Sequence, residues 1–373
     1  MAPDISLHAD PRPPTAADDP RDRGGKAQPL LIVDGLQKYF PIHGGVLNRR
    51  IASIKAVDDV SFAVLKGETL GVVGESGCGK STLARVLMGL IAQDKGEIIF
   101  DGELVGGTDG LSLRDLRRNM QIVFQDSDSS LNPRLPVADS IAYGPRVHGM
   151  RRTDAKTLAH DLLQRVGLDP NLFAARYPHE LSGGQKQRVN VARALALNPR
   201  LVILDEAVSA LDKSIEAQVL NLLRQLKQTL WLTYIFISHD LNVVRYVSDR
   251  MLVMYMGQVV EIGPTDAIYR DPRHPYTKAL LDSRLAADPR RRVDTAPLAG
   301  DPPNPIDPPS GCRFRTRCPF AEDICAEKAP SLGQPVQHTA HLAACHMADP
   351  ESGHSRVSLE PAPVERLAAA DAC

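Results

Sequence analysis

The chain lacks any apolar stretch near the roughly 20 residues that a helix needs to cross a bilayer. Its N-terminus also lacks the apolar core of a secretory signal. Both absences point to a protein made and kept in the cytosol, held at any membrane by other chains. An excess of one charge is missing too: 44 Lys and Arg stand against 45 Asp and Glu. That removes the electrostatic case for nucleic acid as the main partner. Cysteine is scarce, with six in 373 residues, so no disulfide framework is expected in a reducing compartment. Yet five of those six lie in the last quarter, four of them crowded into 312–345. Neither a second phosphate-loop pattern nor a sustained heptad repeat occurs, which argues against double-cassette or coiled-coil architectures.

What is present centres on Gly74-Glu75-Ser76-Gly77-Cys78-Gly79-Lys80-Ser81-Thr82, a fit to the phosphate-binding pattern G-x-x-x-x-G-K-[ST]. The apolar run 69–73 before it predicts a buried strand. The segment 83–90 after it has apolar residues at Leu83, Val86, Leu87 and Leu90, which predicts a helix. Glycines let backbone N–H groups converge on a phosphate, and the helix start adds partial positive charge. Lys80 would reach the β- and γ-phosphates of a nucleotide, and the Ser81 hydroxyl would take one Mg²⁺ position.

Around this loop the chain reads in order. Residues 1–28 are Pro-, Asp- and Arg-rich and are expected to be disordered, as are 347–373. Structure is expected from Leu30, with Phe40 or Tyr39 placed to stack on an adenine. The polar span 43–55 reads as a hairpin loop before a strand at 56–64. Strands are expected at 96–100 and at 121–125, the second ending in Gln125. Residues 130–178 read as helical, most clearly 154–166 with Leu158, Leu162, Leu163 and Val166 on one face. Ser182-Gly183-Gly184-Gln185 opens a helix running to Leu197, a second anion-ready N-terminus. Leu201-Val202-Ile203-Leu204 is closed by Asp205-Glu206, a buried parallel strand with acids at its carboxyl end, where open α/β sheets place ligands. The span 231–238 repeats that design and ends at His239. A last strand pair occupies 251–255 and 258–262. Phosphoryl transfer asks for a lysine, a metal and oriented donors, with one carboxylate for the metal and a second to orient water. Asp205 and Glu206 supply both.

The order GESGCGKST, Gln125, LSGGQ, LVILDE, His239 resembles the ATP-binding subunit of ABC transporters. The segment from His274 to Leu281, with residues 305–345, looks like the oligopeptide/dipeptide importer branch. The resemblance implies an α/β P-loop ATPase domain over 29–265 with a helical subdomain at about 126–182, then an extension over 266–346. It implies that Gly74 to Thr82 cradle ATP, that Gln125 senses Mg²⁺ and the γ-phosphate, and that Asp205 supports Mg²⁺. It assigns Glu206 and His239 to the attacking water, with Lys80 as the third catalytic group. Ser182, Gly183, Gly184 and Gln185 would cap ATP held by an opposing ATPase subunit, a copy or a sister, and Asp212 would cross that interface. Two permease subunits and an extracytoplasmic solute-binding protein are the other implied partners, at the cytoplasmic face of the membrane. The implied activity is ATP-driven import of di- or oligopeptides. Import of nickel or glutathione, and a soluble ATPase with a non-transport target, are the alternatives. Departures from the family pattern are Ala207-Val208 after the glutamate, Asp126-Ser127 after the glutamine, Lys186 and Trp231.

Cys312, Cys318, Cys325 and Cys345 are spaced C-x5-C-x6-C-x19-C in a Pro- and Arg-rich stretch with little apolar material for a core. Such a segment needs a staple, and four thiolates can ligate one metal centre. Structural zinc usually shows tight C-x₂₋₄-C pairs, which are absent here, so the uneven gaps suit an iron–sulfur centre better. The importer resemblance points to a [4Fe–4S] cluster. Zinc stays open as the alternative, because His346 could replace a thiolate. Cys78 and Cys373 are expected to take no part.

Overall fold

In the computed structural model, residue 25 and residues 28–357 are described, except 45–48, 107–109, 128, 210, 284–300, 302 and 334–340. The chain begins with β1 (Pro29–Gly44), β2 (Arg49–Leu65) and β3 (Thr69–Val73), followed by α1 (Lys80–Leu87). Then come β4 (Lys95–Phe100), β5 (Glu103–Leu104), α2 (Leu113–Asn119) and β6 (Met120–Val123). The expected helical span holds α3 (Val137–Val147), α4 (Arg152–Arg165) and α5 (Pro170–Phe173), and α6 (Gly183–Leu195) follows it. After these lie β7 (Leu201–Asp205), α7 (Lys213–Leu230), β8 (Thr233–Ile237), α8 (Leu241–Val247), β9 (Arg250–Tyr255) and β10 (Gln258–Pro264). The extension contributes α9 (Thr265–Arg270), α10 (Pro275–Asp282), α11 (Asp323–Glu327) and β11 (Leu342–Ala343).

The larger sheet has the order β11-β10-β9-β3-β8-β7-β6. Strands β9, β3, β8, β7 and β6 run parallel, while β10 and β11 are antiparallel additions at one edge. The side chains divide with period two. Val202, Leu204, Tyr234 and Phe236 enter a core shared with the helical region and the extension. Leu201, Ile203, Ile235 and Ile237 enter a second core, against α1 and the smaller antiparallel sheet β2-β1-β4-β5. Both faces are buried, which is why these strands read as continuous apolar runs rather than alternating ones.

Three boundaries differ from the sequence expectation. The span expected as a loop at 43–55 is mostly strand, because β1 and β2 pair through Tyr39–Lys55, Pro41–Ser53 and Gly44–Arg49. Its side chains are largely half-buried or exposed, so the apolar signal of a strand is missing. Trp231 is not in β8 but ends α7 in the left-handed region at φ 53°. Its ring covers Gly67, where an added Cβ would come within 2.3 Å of the indole. The tail expected to be disordered from 347 is ordered to 357: His354 is buried, its imidazole against Phe320 O, and Ser355 N–H donates to Glu322. The expectation of disorder at 358–373 and over most of 1–28 lies outside the described residues. No helix among the described residues is long and apolar enough to cross a membrane.

Candidate active site

The carboxyl ends of β3, β7 and β8 open on one edge, with the end of β6 beside them. The glycine-rich loop leaves β3 and enters α1 through Gly79, at φ 109° with only 2.1 Å between an added Cβ and Ala56 O. Only glycine fits that turn. Lys80 then lies at the helix start, 5% exposed, its ammonium donating to Gly74 O at 2.8 Å and Glu75 O at 3.0 Å. A buried cation resting on carbonyls, beside the unpaired N–H groups of a helix's first turn, is a site that favours an anion. Around Gly77 there is open space.

Across from the loop, Ser81 Oγ donates to Asp205 Oδ1 at 3.0 Å. Burial holds the Asp205 carboxyl above its ordinary range, and the neighbouring negative charge of Glu206 adds to the effect. Two adjacent acids and one hydroxyl form an oxygen donor set that suits Mg²⁺. At Glu206 the backbone turns left-handed, φ 48°, while its N–H donates to Ile237 O at 3.0 Å. This turn puts its carboxylate between two groups. Gln125 Nε2 donates to Glu206 Oε2 at 2.7 Å, and His239 Nδ1 lies 3.5 Å from the same oxygen. Ala207 and Val208, the departures after the glutamate, are both buried, so their apolar side chains suit the position.

Phe40 lies half-buried on β1 with Lys38 Nζ 5.8 Å from its ring centroid. Tyr39 is engaged instead, its hydroxyl bonded to Asp58. The Ser182–Gln185 turn is not drawn into the Glu206 cluster. It forms a capping box at the start of α6, and Gly184 lies against Ile215, where an added Cβ would come within 2.5 Å. Asp212 is exposed at the N-cap of α7.

Cys312, Cys318, Cys325 and Cys345 line one cavity of about 10 Å³, together with His346, His354, Phe314 and Phe320. Burial raises the thiols of Cys312, Cys318 and Cys345, the first to about 11 and the last to about 12. Among the described residues, no group of three or more His, Cys, Asp or Glu stands close enough to hold one metal ion. The four cysteines thus line one small cavity, and the expected four-thiolate centre is not a preformed ion cage.

Two features of this region escaped the sequence reading. Arg317 forms a bidentate pair with Glu75 of the phosphate loop, at 2.9 and 3.0 Å, and Glu75 N–H donates to Tyr276 Oη at 2.8 Å. Arg313 pairs with buried Asp58 and donates to Met256 O. The signal available was an acid inside an anion-binding loop, which calls for a cation, and an arginine-rich Cys segment.

This fold and strand-end site define an α/β P-loop nucleoside triphosphatase. Residues 57–209 match the ABC transporter family, and residues 260–325 match the oligopeptide/dipeptide transporter C-terminal region. The chain is 49% identical over 323 residues to a probable peptide ABC transporter ATP-binding protein of Sinorhizobium fredii, covering 86% of this chain and 90% of that protein. It is 48% identical over 327 residues to the oligopeptide transport ATP-binding protein OppF of Salmonella typhimurium, covering 86% and 97%. Among solved structures, CbiO1 of Clostridium perfringens, part of the ABC transporter complex CbiONQ, aligns at TM-score 0.55 and 26% identity, over 65% of this chain and 91% of that one. The chain belongs to the ABC transporter ATP-binding proteins, the ATPases of that family, with the oligopeptide/dipeptide transporter C-terminal region attached.

Proposed function

We propose that this chain hydrolyses ATP to drive import of di- or oligopeptides through a membrane permease. The observation that carries it is the Asp205–Glu206 pair at the end of β7, one acid bonded to Ser81 and the other held between Gln125 and His239. Gly74 to Thr82 cradle the phosphates, with Lys80 turning from the loop carbonyls to the β- and γ-oxygens. Ser81 and Asp205, with Gln125 beside them, hold Mg²⁺, which supplies charge neutralisation on the phosphates. Glu206 orients the attacking water and accepts its proton, and His239 holds the γ-phosphate in line. Phe40 packs on the adenine. The turn Ser182–Gln185, exposed at Ser182 and Gly183, and the exposed Asp212 face ATP on a second ATPase subunit, a copy or a sister. The peptide substrate class is supported by the names of the relatives and by the matched C-terminal region.

The helical region would receive the permease, since Tyr143 and Val147 on α3 and Leu172 on α5 are 61%, 58% and 58% exposed. An extracytoplasmic solute-binding protein would deliver the peptide, and the chain would sit peripherally on the cytoplasmic face. The four cysteines would hold an iron–sulfur cluster as a structural staple. Zinc is the alternative occupant of the same four cysteines. The test of the whole reading is reconstitution with the permease in liposomes. Peptide uptake should need ATP and vanish with Glu206→Gln, and uptake that continues in that variant would refute it.

A further inference from the structure

Glu75 is an acid inside a loop suited to an anion, and an unneutralised carboxylate there would oppose the phosphates. Its partner comes from the C-terminal extension. Arg317 grips both carboxylate oxygens; its side chain is 5% exposed and that of Glu75 22%. The arginine is itself fixed. Its N–H donates to Phe314 O at 2.9 Å, and its guanidinium lies 6.0 Å from the ring centroids of Tyr255 and Phe314. Those two rings and Tyr276 pack together, with centroids 4.6 to 5.5 Å apart. Tyr276 closes the arrangement by accepting the Glu75 N–H. Arg317 also lies between Cys312 and Cys318, in a turn tied to the rest of the extension where Cys312 N–H donates to Cys325 O at 2.8 Å.

We propose that Arg317 is a positioning residue of the phosphate loop. From the four-cysteine extension it neutralises Glu75 and, with Tyr276, fixes the loop backbone, so that nucleotide affinity is set in part by the extension. The inference rests on the loop being the nucleotide site.

The test uses the full-length protein, titrated with a fluorescent ATP analogue and Mg²⁺ and assayed for ATP hydrolysis. Arg317→Gln should weaken nucleotide binding about five- to tenfold, as expected for one uncompensated charge near the phosphates. The KM for ATP should rise in step while kcat changes less than twofold. The loss should shrink in high salt. Arg317→Lys should recover only part of the affinity, because it keeps the charge but not the fork. The decisive variant is Arg317→Gln with Glu75→Gln. It removes the same ion pair, so a purely structural brace would stay broken, whereas the proposal expects affinity to recover. Thermal melting reports folding, and if Arg317→Gln does not fold, Arg317→Lys with and without Glu75→Gln makes the same comparison. Unchanged affinity in a folded Arg317 variant, or no recovery in the double variant, overturns the proposal. Lys80→Ala separates the two levels. If it binds nucleotide normally, the loop itself has been misread; if it loses binding while Arg317→Gln does not, only the role of Arg317 falls.

Discussion

The carboxyl end of the parallel sheet and the C-terminal extension solve the same problem, holding polar groups in place, by different means. At the sheet end, every group follows directly on its own element: Lys80 opens α1, Asp205 closes β7, and His239 comes just after β8. In the extension, anchoring depends on partners far away in the chain, with Arg317 and Glu75 separated by 242 positions and Arg313 and Asp58 by 255. Both regions depend on long-range meetings, since Ser81 and Asp205 are also 124 apart. The difference is that each sheet-end group carries a local motif, while Arg313 and Arg317 carry none. A catalytic end can thus be rigid through its strands, whereas a small extension must borrow rigidity through buried ion pairs and packed rings.

If that division holds, damage at the sheet end should show in turnover and damage in the extension in stability, with Arg317 linking the two through Glu75. The largest effect is expected from Glu206→Gln, which should lower ATP turnover by about a hundredfold or more while nucleotide still binds, in line with losing a positioned proton acceptor. Single-turnover hydrolysis beside a binding titration checks it, and unaltered melting of the extension would sharpen the contrast. Next comes Arg313→Gln, which leaves Asp58 buried beside Tyr39 without its cation. It should destabilise the protein by about 3 kcal/mol, read as a fall in denaturation midpoint, with the chemical step little changed. Cys345→Ser should remove iron and acid-labile sulfide from anaerobically purified protein and lower the melting temperature, again with kcat nearly kept. Wild-type protein that is colourless and carries stoichiometric zinc would replace the cluster with the other metal and leave the staple in place. The smallest effect is expected from Phe40→Ala, a rise of a few-fold in the KM for ATP from lost stacking, with no change in melting. A large loss of stability in that variant would instead make Phe40 a packing residue of the hairpin.

Cross-linking offers a different cut. Single cysteines placed at Tyr143 or Val147 should join the permease, while one placed on the exposed side of the extension should not. The reverse pattern would move the docking surface.

Much of the sheet end could be read from residue order because local rules act there. Four apolar residues followed by Asp205-Glu206 can hardly be anything but a buried strand ending in a ligand-facing edge. The strand character of 43–44 and 49–55 was not legible, because their side chains are half-buried or exposed and show no apolar alternation. Trp231 was misplaced because a left-handed helix end is normally announced by glycine, and here packing over Gly67 decides it. Ordering of 347–357 depends on His354 and Ser355 finding Phe320 and Glu322, which composition does not encode.

By itself the sequence determined the loop, the strand ends, the capping turn at Ser182 and the presence of four clustered cysteines, since each is set by short-range geometry and residue chemistry. Only the tertiary structure decided that Glu206 stands between Gln125 and His239, that the four cysteines line one cavity, and that Arg317 reaches the phosphate loop. These are meetings between distant segments. They follow from how the two cores bring sheet, helices and extension together, and no local pattern carries that information.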